Sequence, residues 1–281
     1  MVMSGERARG LLELTRPVNA VAAGMLTFIG AFVAGGLDMW VAVGAAVGAT
    51  VLATAAGNAM NDYFDREIDG INQPDRPIPR GAVAPRTALG FSGLLFAGAV
   101  VFALALPVPA IAIAVVNLLA LVAYTELFKG LPGVGNAVVG YLGGSTFLFG
   151  AAAVGRITAA VVVLFALAAL STVAREIVKD VEDVAGDRRE GLNTLPIAIG
   201  ERPALWLAAG LLAVALLASP LPYLQETFGW PYLAVVAVAD LVMAVAAVES
   251  FSDPTAGQEH LSYAMFLAGG AFVVGRLAVA V

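Results

Sequence analysis

Asn58–Gly81 reads N-A-M-N-D-Y-F-D-R-E-I-D-G-I-N-Q-P-D-R-P-I-P-R-G and follows a run apolar enough to be a membrane helix. Wound at about 100° per residue from Asn58, Asp62 falls near about 40°, Asp65 near about −20° and Asp69 near about 20°. The spacing predicts one polar stripe on a helix end. Carboxylates that close repel unless cations neutralise them. Mg²⁺ is the natural cation, because it takes hard oxygen ligands and bridges carboxylates to substrate phosphates. A solvated acidic helix end is the plainer alternative. Beyond Asp69, Gly70, Pro74, Pro77 and Pro79 end the helix and predict an ordered loop carrying Asp75, Arg76 and Arg80. Residues 70–86 read as a cap over the stripe.

The surroundings fix the fold class as all-α and polytopic. The 281 residues are 60% hydrophobic and 13% charged, with a mean hydropathy of +0.90, which excludes a soluble globular protein. About nine apolar runs of spanning length are predicted, at roughly 15–37, 39–60, 86–106, 108–127, 134–153, 157–178, 203–221, 231–249 and 261–280. The first run reads as too long, and preceded by too little, to be a cleaved signal, and the Glu6–Glu13 segment before it reads as lying at the membrane surface. The whole chain, 1–281, reads as a single transmembrane domain.

Charge gives the orientation. Of the 15 Lys and Arg residues, all but Arg156 and Arg276 fall in one alternating set of connections or helix ends. The excess of cytoplasmic cations in membrane proteins then predicts a cytoplasmic N-terminus and acidic face, with the C-terminus outside. With no cysteine there is no disulfide or thiolate chemistry, and His260 alone cannot build a multi-histidine metal site. The net charge of −6 argues against nucleic acid as a partner. His260 reads as a solvated loop residue. Asp240, in the middle of the eighth run, reads as structural or cavity-lining, with Arg276 as an available partner.

A second acidic stretch decides between the two readings of the first. Glu176, Asp180, Asp183 and Asp187 repeat the spacing of Asn58, Asp62, Asp65 and Asp69, each 118 residues after its counterpart. Gly70-Ile71-Asn72 is echoed by Gly191-Leu192-Asn193. Both stripes end spans of the same polarity, as an internal duplication would place them. Two facing stripes can hold two Mg²⁺ ions around a diphosphate, whose remaining charge Arg76, Lys129, Arg175 and Lys179 offset. A greasy cavity beside such a site suits a polyprenyl diphosphate donor. Arg16 reads either as an arginine snorkelling to the headgroups or, with Asn19, Arg80 and Tyr124, as a candidate contact for a second substrate; Tyr124 reads equally as a membrane-boundary aromatic.

The chain is similar to the UbiA superfamily of intramembrane prenyltransferases over essentially its whole length. Asn61-Asp62-x-x-Asp65-x-x-x-Asp69 and Asp183-x-x-x-Asp187 match the paired signatures of that family, and Asp75-Arg76-Pro77, Tyr124, Lys129 and Gly135-Asn136 fit as well. The resemblance implies a UbiA-type bundle with Asn61, Asp65, Asp69, Asp183 and Asp187 as the metal–diphosphate core. The stripe geometry adds Asn58, Asp62 and Asp180. Within the superfamily the motifs most resemble the archaeal branch that moves a geranylgeranyl group to geranylgeranylglyceryl phosphate, a lipid-phosphate acceptor, in ether-lipid synthesis. One departure stands out: in the family a Lys usually follows the Gln at the start of the last helix, whereas Gln258 here precedes Glu259, His260 and Ser262. The alternatives are an aromatic-acceptor prenyltransferase of quinone biosynthesis and a divalent-cation transporter. The transporter is disfavoured because no polar path leaves the far side.

Overall fold

The computed structural model describes residues 2–128 and 130–280. Among them the chain is helical, with no strand. The helices are α1 (Val2–Leu14), α2 (Pro17–Val33), α3 (Trp40–Phe64), α4 (Arg66–Asn72), α5 (Pro85–Leu104), α6 (Val108–Ala123), α7 (Val134–Ala153), α8 (Ala159–Arg189), α9 (Leu195–Ile199), α10 (Glu201–Ala218), α11 (Leu221–Leu224), α12 (Trp230–Glu249) and α13 (Pro254–Ala280). Proline opens α2, α5 and α13, where its missing N–H and fixed φ suit the first turn.

Each predicted apolar run is a helix, but length and apolarity alone do not yield nine spans. Among the described residues six helices pass as spans, or seven if α1 and α2, bent by 44°, count as one. At 16 residues α6 is short, and glycine and polar residues dilute α7. Two boundaries also move. α8 runs 31 residues, about 46 Å against a hydrocarbon core of about 30 Å, so its charged end projects from the membrane. α13 begins at Pro254, ahead of the predicted start at 261, so His260 is helical and not a loop residue. His260 Nδ1 pairs with Glu249 Oε2 at 2.6 Å.

Backbones close to contact hold the centre together. α2 lies between α3 and α7, α7 packs on α8, and α8 packs on α10 and α13. A Cβ on Gly150 would overlap the carbonyl oxygen of Thr27, and one on Gly30 would overlap that of Phe147. Small residues are what permit such approach in lipid, where apolar burial alone gives helices little reason to associate. α5 and α6 turn many large apolar side chains outward, as lipid-facing helices do.

α1 lies against the cap loop. Leu14, Ile78, Val83, Ala59 and Ala88 form a small core there, with Leu11 and Tyr63 against it. The loop is ordered as predicted, by turns such as Val83 N–H to Pro77 O at 3.1 Å. At the other end of the bundle Asp240 accepts from Ser219 Oγ at 2.5 Å. Tyr232 Oη donates to Ser219 O at 2.6 Å. Asp240 therefore finds a hydroxyl on α10's end, and not Arg276.

Candidate active site

The first acidic stretch is not one unbroken stripe. α3 stops at Phe64, Asp65 stands at the junction with φ −82° and ψ 1°, and α4 restarts at Arg66. The break is bridged by Asp65 N–H to Asn61 O and Asp69 N–H to Asp65 O, both 2.8 Å. Asp62 and Asp69 nonetheless converge on one guanidinium. Arg76 Nη1 is 3.3 Å from Asp62 Oδ1 and 2.5 Å from Asp69 Oδ2. Arg16 Nη2 lies 2.5 Å from the same Asp62 oxygen. Both carboxyls are buried, and buried charges persist only when paired.

The two arginines arrive from different places. Arg76 belongs to the cap loop. Arg16 occupies the bend between α1 and α2 with φ 45°, a left-handed conformation that non-glycine residues adopt at some cost. Neighbouring carboxamides hold that bend: Asn58 Nδ2 donates to Thr15 O at 3.0 Å, and Asn19 Nδ2 to Asn58 Oδ1 at 3.5 Å. Arg80 joins α1 to the cap, donating to Glu13 Oε2 and to Asp75 O, each at 2.6 Å.

The second stretch is continuous helix. Glu176 and Asp180 line a small polar cavity of about 20 Å³ with Tyr124, Asn136 and Thr194. Asn136 Nδ2 donates to Asp180 Oδ2 at 2.7 Å. Thr194 Oγ1 donates to Asp187 Oδ2 at 3.0 Å. Asp183 and Lys179 are exposed on the projecting end of α8. Arg175 is held by α13: its Nε donates to Ser262 Oγ at 2.6 Å and its Nη2 to Gln258 Oε1 at 3.5 Å, while Nη1 meets Glu176 Oε1 at 2.5 Å. Lys129 lies outside the described residues.

Tyr124 opens a π-helical turn, Tyr124–Phe128, directly after the apolar α6. Such turns recur at functional sites. It lines the cavity beside Glu176 and Asp180.

Thr194, the Arg175 contact of Ser262 and the cavity roles of Asn136 and Glu176 escape the sequence reading. Glu176 is visible there as a stripe member, and Asn136 only as part of the Gly135-Asn136 pair that carries the family resemblance. Thr194 precedes Leu195-Pro196 and resembles an ordinary helix cap; its hydroxyl goes to Asp187 instead. No local pattern announces Ser262, because its partner is 87 residues away.

The donor set fits a hard divalent cation. Asn58, Asn61, Asp62, Asp65, Asp69, Asp180, Asp183 and Asp187 offer only oxygen acceptors, with no thiolate or imidazole. Among the described residues no three Asp, Glu or His side chains group tightly enough to hold an ion unaided. Mg²⁺ commonly binds through one or two carboxylates and takes the rest of its shell from water and substrate phosphates. A spread set suits that mode.

Comparison with known proteins agrees in kind. Residues 23–270 match the UbiA prenyltransferase family. A digeranylgeranylglyceryl phosphate synthase of Natronomonas pharaonis is 69% identical over 274 residues, covering 98% of this chain and 99% of the relative. One from Haloquadratum walsbyi is 61% identical and covers 96% of each. A solved structure from work on digeranylgeranylglyceryl phosphate synthase in membranes superposes with a TM-score of 0.80 at 36% identity, over 97% of this chain and 99% of its own. A UbiA homologue of Archaeoglobus fulgidus bound to GPP and Mg²⁺ shares the fold, with a TM-score of 0.70 at 17% identity, over 97% and 100% of the two chains.

Proposed function

The chain belongs to the UbiA prenyltransferase family, and we propose that it transfers a geranylgeranyl group from geranylgeranyl diphosphate to geranylgeranylglyceryl phosphate, a step of archaeal ether-lipid synthesis. The observation that carries this reading is the pair of acidic stretches at one end of an apolar bundle, with Asp62 and Asp69 gathered on Arg76 in one and Glu176 and Asp180 lining a polar cavity in the other. Relatives at 61–69% identity that bear the name of that synthase support the choice of acceptor.

In the reaction the bond from C1 of the allylic chain to the diphosphate oxygen breaks, and the diphosphate leaves with the electron pair. The acceptor's hydroxyl oxygen bonds C1 and releases its proton. Two Mg²⁺ ions, one toward Asp62, Asp65 and Asp69 and one toward Asp180, Asp183 and Asp187, would supply the Lewis acidity that makes diphosphate a good leaving group. Asn58 and Asn61 add neutral oxygens to the first set. Arg76, already between Asp62 and Asp69, meets the diphosphate from the cap, while Arg175 and Lys179 face it from the second half and Lys129, outside the described residues, is the further cation for its charge. Tyr124 donates its hydroxyl, and Arg16, Asn19 and Arg80 receive the acceptor's phosphate at the mouth. The apolar helices keep water from the cationic carbon. The whole chain acts as one transmembrane domain, with its N-terminus and site cytoplasmic and its C-terminus outside.

Radiolabelled geranylgeranyl diphosphate, offered to purified protein with geranylgeranylglyceryl phosphate, an aromatic acid or no acceptor, tests this. The expected result is product with the lipid phosphate only, lost on chelation and restored by Mg²⁺. Product with the aromatic acid would move the reading to quinone precursors, and no metal-dependent product with any acceptor would overturn it.

A further inference from the structure

Two arginines stand apart from the other basic residues. Arg156 lies between α7 and α8, and Arg276 lies near the end of α13. Both meet at Gly35, just past the end of α2. Since Arg16 and the acidic end of α8 mark the opposite ends of these same helices, Gly35 lies at the face of the bundle away from the candidate active site.

Their convergence is specific. Arg156 Nη1 donates to Gly35 O. Gly35 has φ +74°, and a Cβ there would stand 3.6 Å from Arg276 Nη2 and 3.7 Å from Arg156 Nη1. The two nitrogens are therefore at most about 7 Å apart, a gap that one phosphate spans with an oxygen toward each guanidinium. Glycine keeps that gap open. The local charge is unbalanced as well. Arg156 has Asp38 at 3.7 Å, but the Asp38 side chain is 67% exposed, and Arg276 has no ion pair among the described residues.

The depth suits a headgroup. Trp40, 75% exposed, opens α3 two residues after Asp38, and Trp230, 71% exposed, opens α12. Gly229 N–H donates to Gly275 O at 2.9 Å, which ties the Trp230 end to the turn of α13 that carries Arg276. Exposed tryptophans mark the membrane–water interface. At that level the anions at hand are lipid phosphates, and guanidinium binds them through paired hydrogen bonds.

We propose that Arg156 and Arg276 form a binding site for the phosphate of an anionic membrane lipid, in the leaflet opposite the candidate active site. The test places full-length protein in phosphatidylcholine micelles, adds phosphatidylglycerol, and counts retained lipids by native mass spectrometry. Wild type should retain phosphatidylglycerol over phosphatidylcholine. Arg156→Gln/Arg276→Gln should reduce that preference about tenfold, while Arg188→Gln/Arg189→Gln, at the other end of α8, should leave it unchanged. Arg276→Gln alone spares the Arg156–Gly35 bond and keeps the test valid if the double variant does not fold; it should lose most of the preference. Equal retention in wild type and the Arg276 variant overturns the proposal. So does displacement of the lipid by millimolar inorganic phosphate, which would assign the pair to a free anion.

Discussion

Asp62 and Asp69 are buried carboxylates whose countercharge arrives on a loop and at a bend. A cation bound beside them relieves the same need that Arg76 meets. Arg76→Ala should therefore lower stability by about 3 kcal/mol, since it strips a partner from a buried ion pair. Added Mg²⁺ should raise the melting temperature of that variant more than that of wild type. Equal shifts would separate the metal from these carboxylates. Asp183 differs: it is exposed on the projecting end of α8. Asp183→Ala should leave melting within about 0.5 kcal/mol of wild type and still cost turnover at least about a hundredfold. Asp65→Asn should cost turnover as much from the other stripe, since on the proposed reading the diphosphate is held by both. Retained turnover in either variant would count against a shared site.

At the scale of elements, the paired helix ends were legible and their joints were not. Hydropathy locates the apolar runs, and the 118-residue echo pairs the acidic ends before any coordinates exist. Winding every residue at 100° then overextends the first stripe, because nothing local tells Asp65 to end α3 while Asp183 continues α8. Hydropathy likewise starts the last run at 261 and leaves His260 as loop, since a polar helical turn and a polar loop look alike to it. Pro254, at the first position of α13, was the overlooked signal. Side-chain partners such as Arg16–Asp62 and Arg175–Ser262 are 46 and 87 residues apart, and no periodicity reaches them. Helix packing makes a separate prediction. Gly150→Ala pushes a methyl into the Thr27 carbonyl, and separating α2 from α7 should cost about 1–3 kcal/mol. Thermal melting in detergent measures this, and a melting temperature equal to wild type would mean the two backbones can part freely.

Across the whole molecule, one end of the bundle is acidic, capped and rich in arginine, while the other carries Arg156, Arg276 and two interfacial tryptophans. That asymmetry sets the side from which substrates must come. A charged donor headgroup does not cross the bilayer unaided, so the acidic end has to face the compartment that makes prenyl diphosphates. The proposed orientation, argued from the basic bias, has that end in the cytoplasm. Because the chain has no cysteine, orientation can be read by adding one at a time. Glu190→Cys, exposed just past α8, should react with an impermeant maleimide only after the membrane is opened in right-side-out vesicles. Gln225→Cys, exposed in the connection before α12, should react at once. The reverse pattern would place the acidic stretches outside and leave them without a donor. Labelling of both positions in sealed vesicles would mean that the connections on either side of α10 share one face, which a single crossing by α10 forbids.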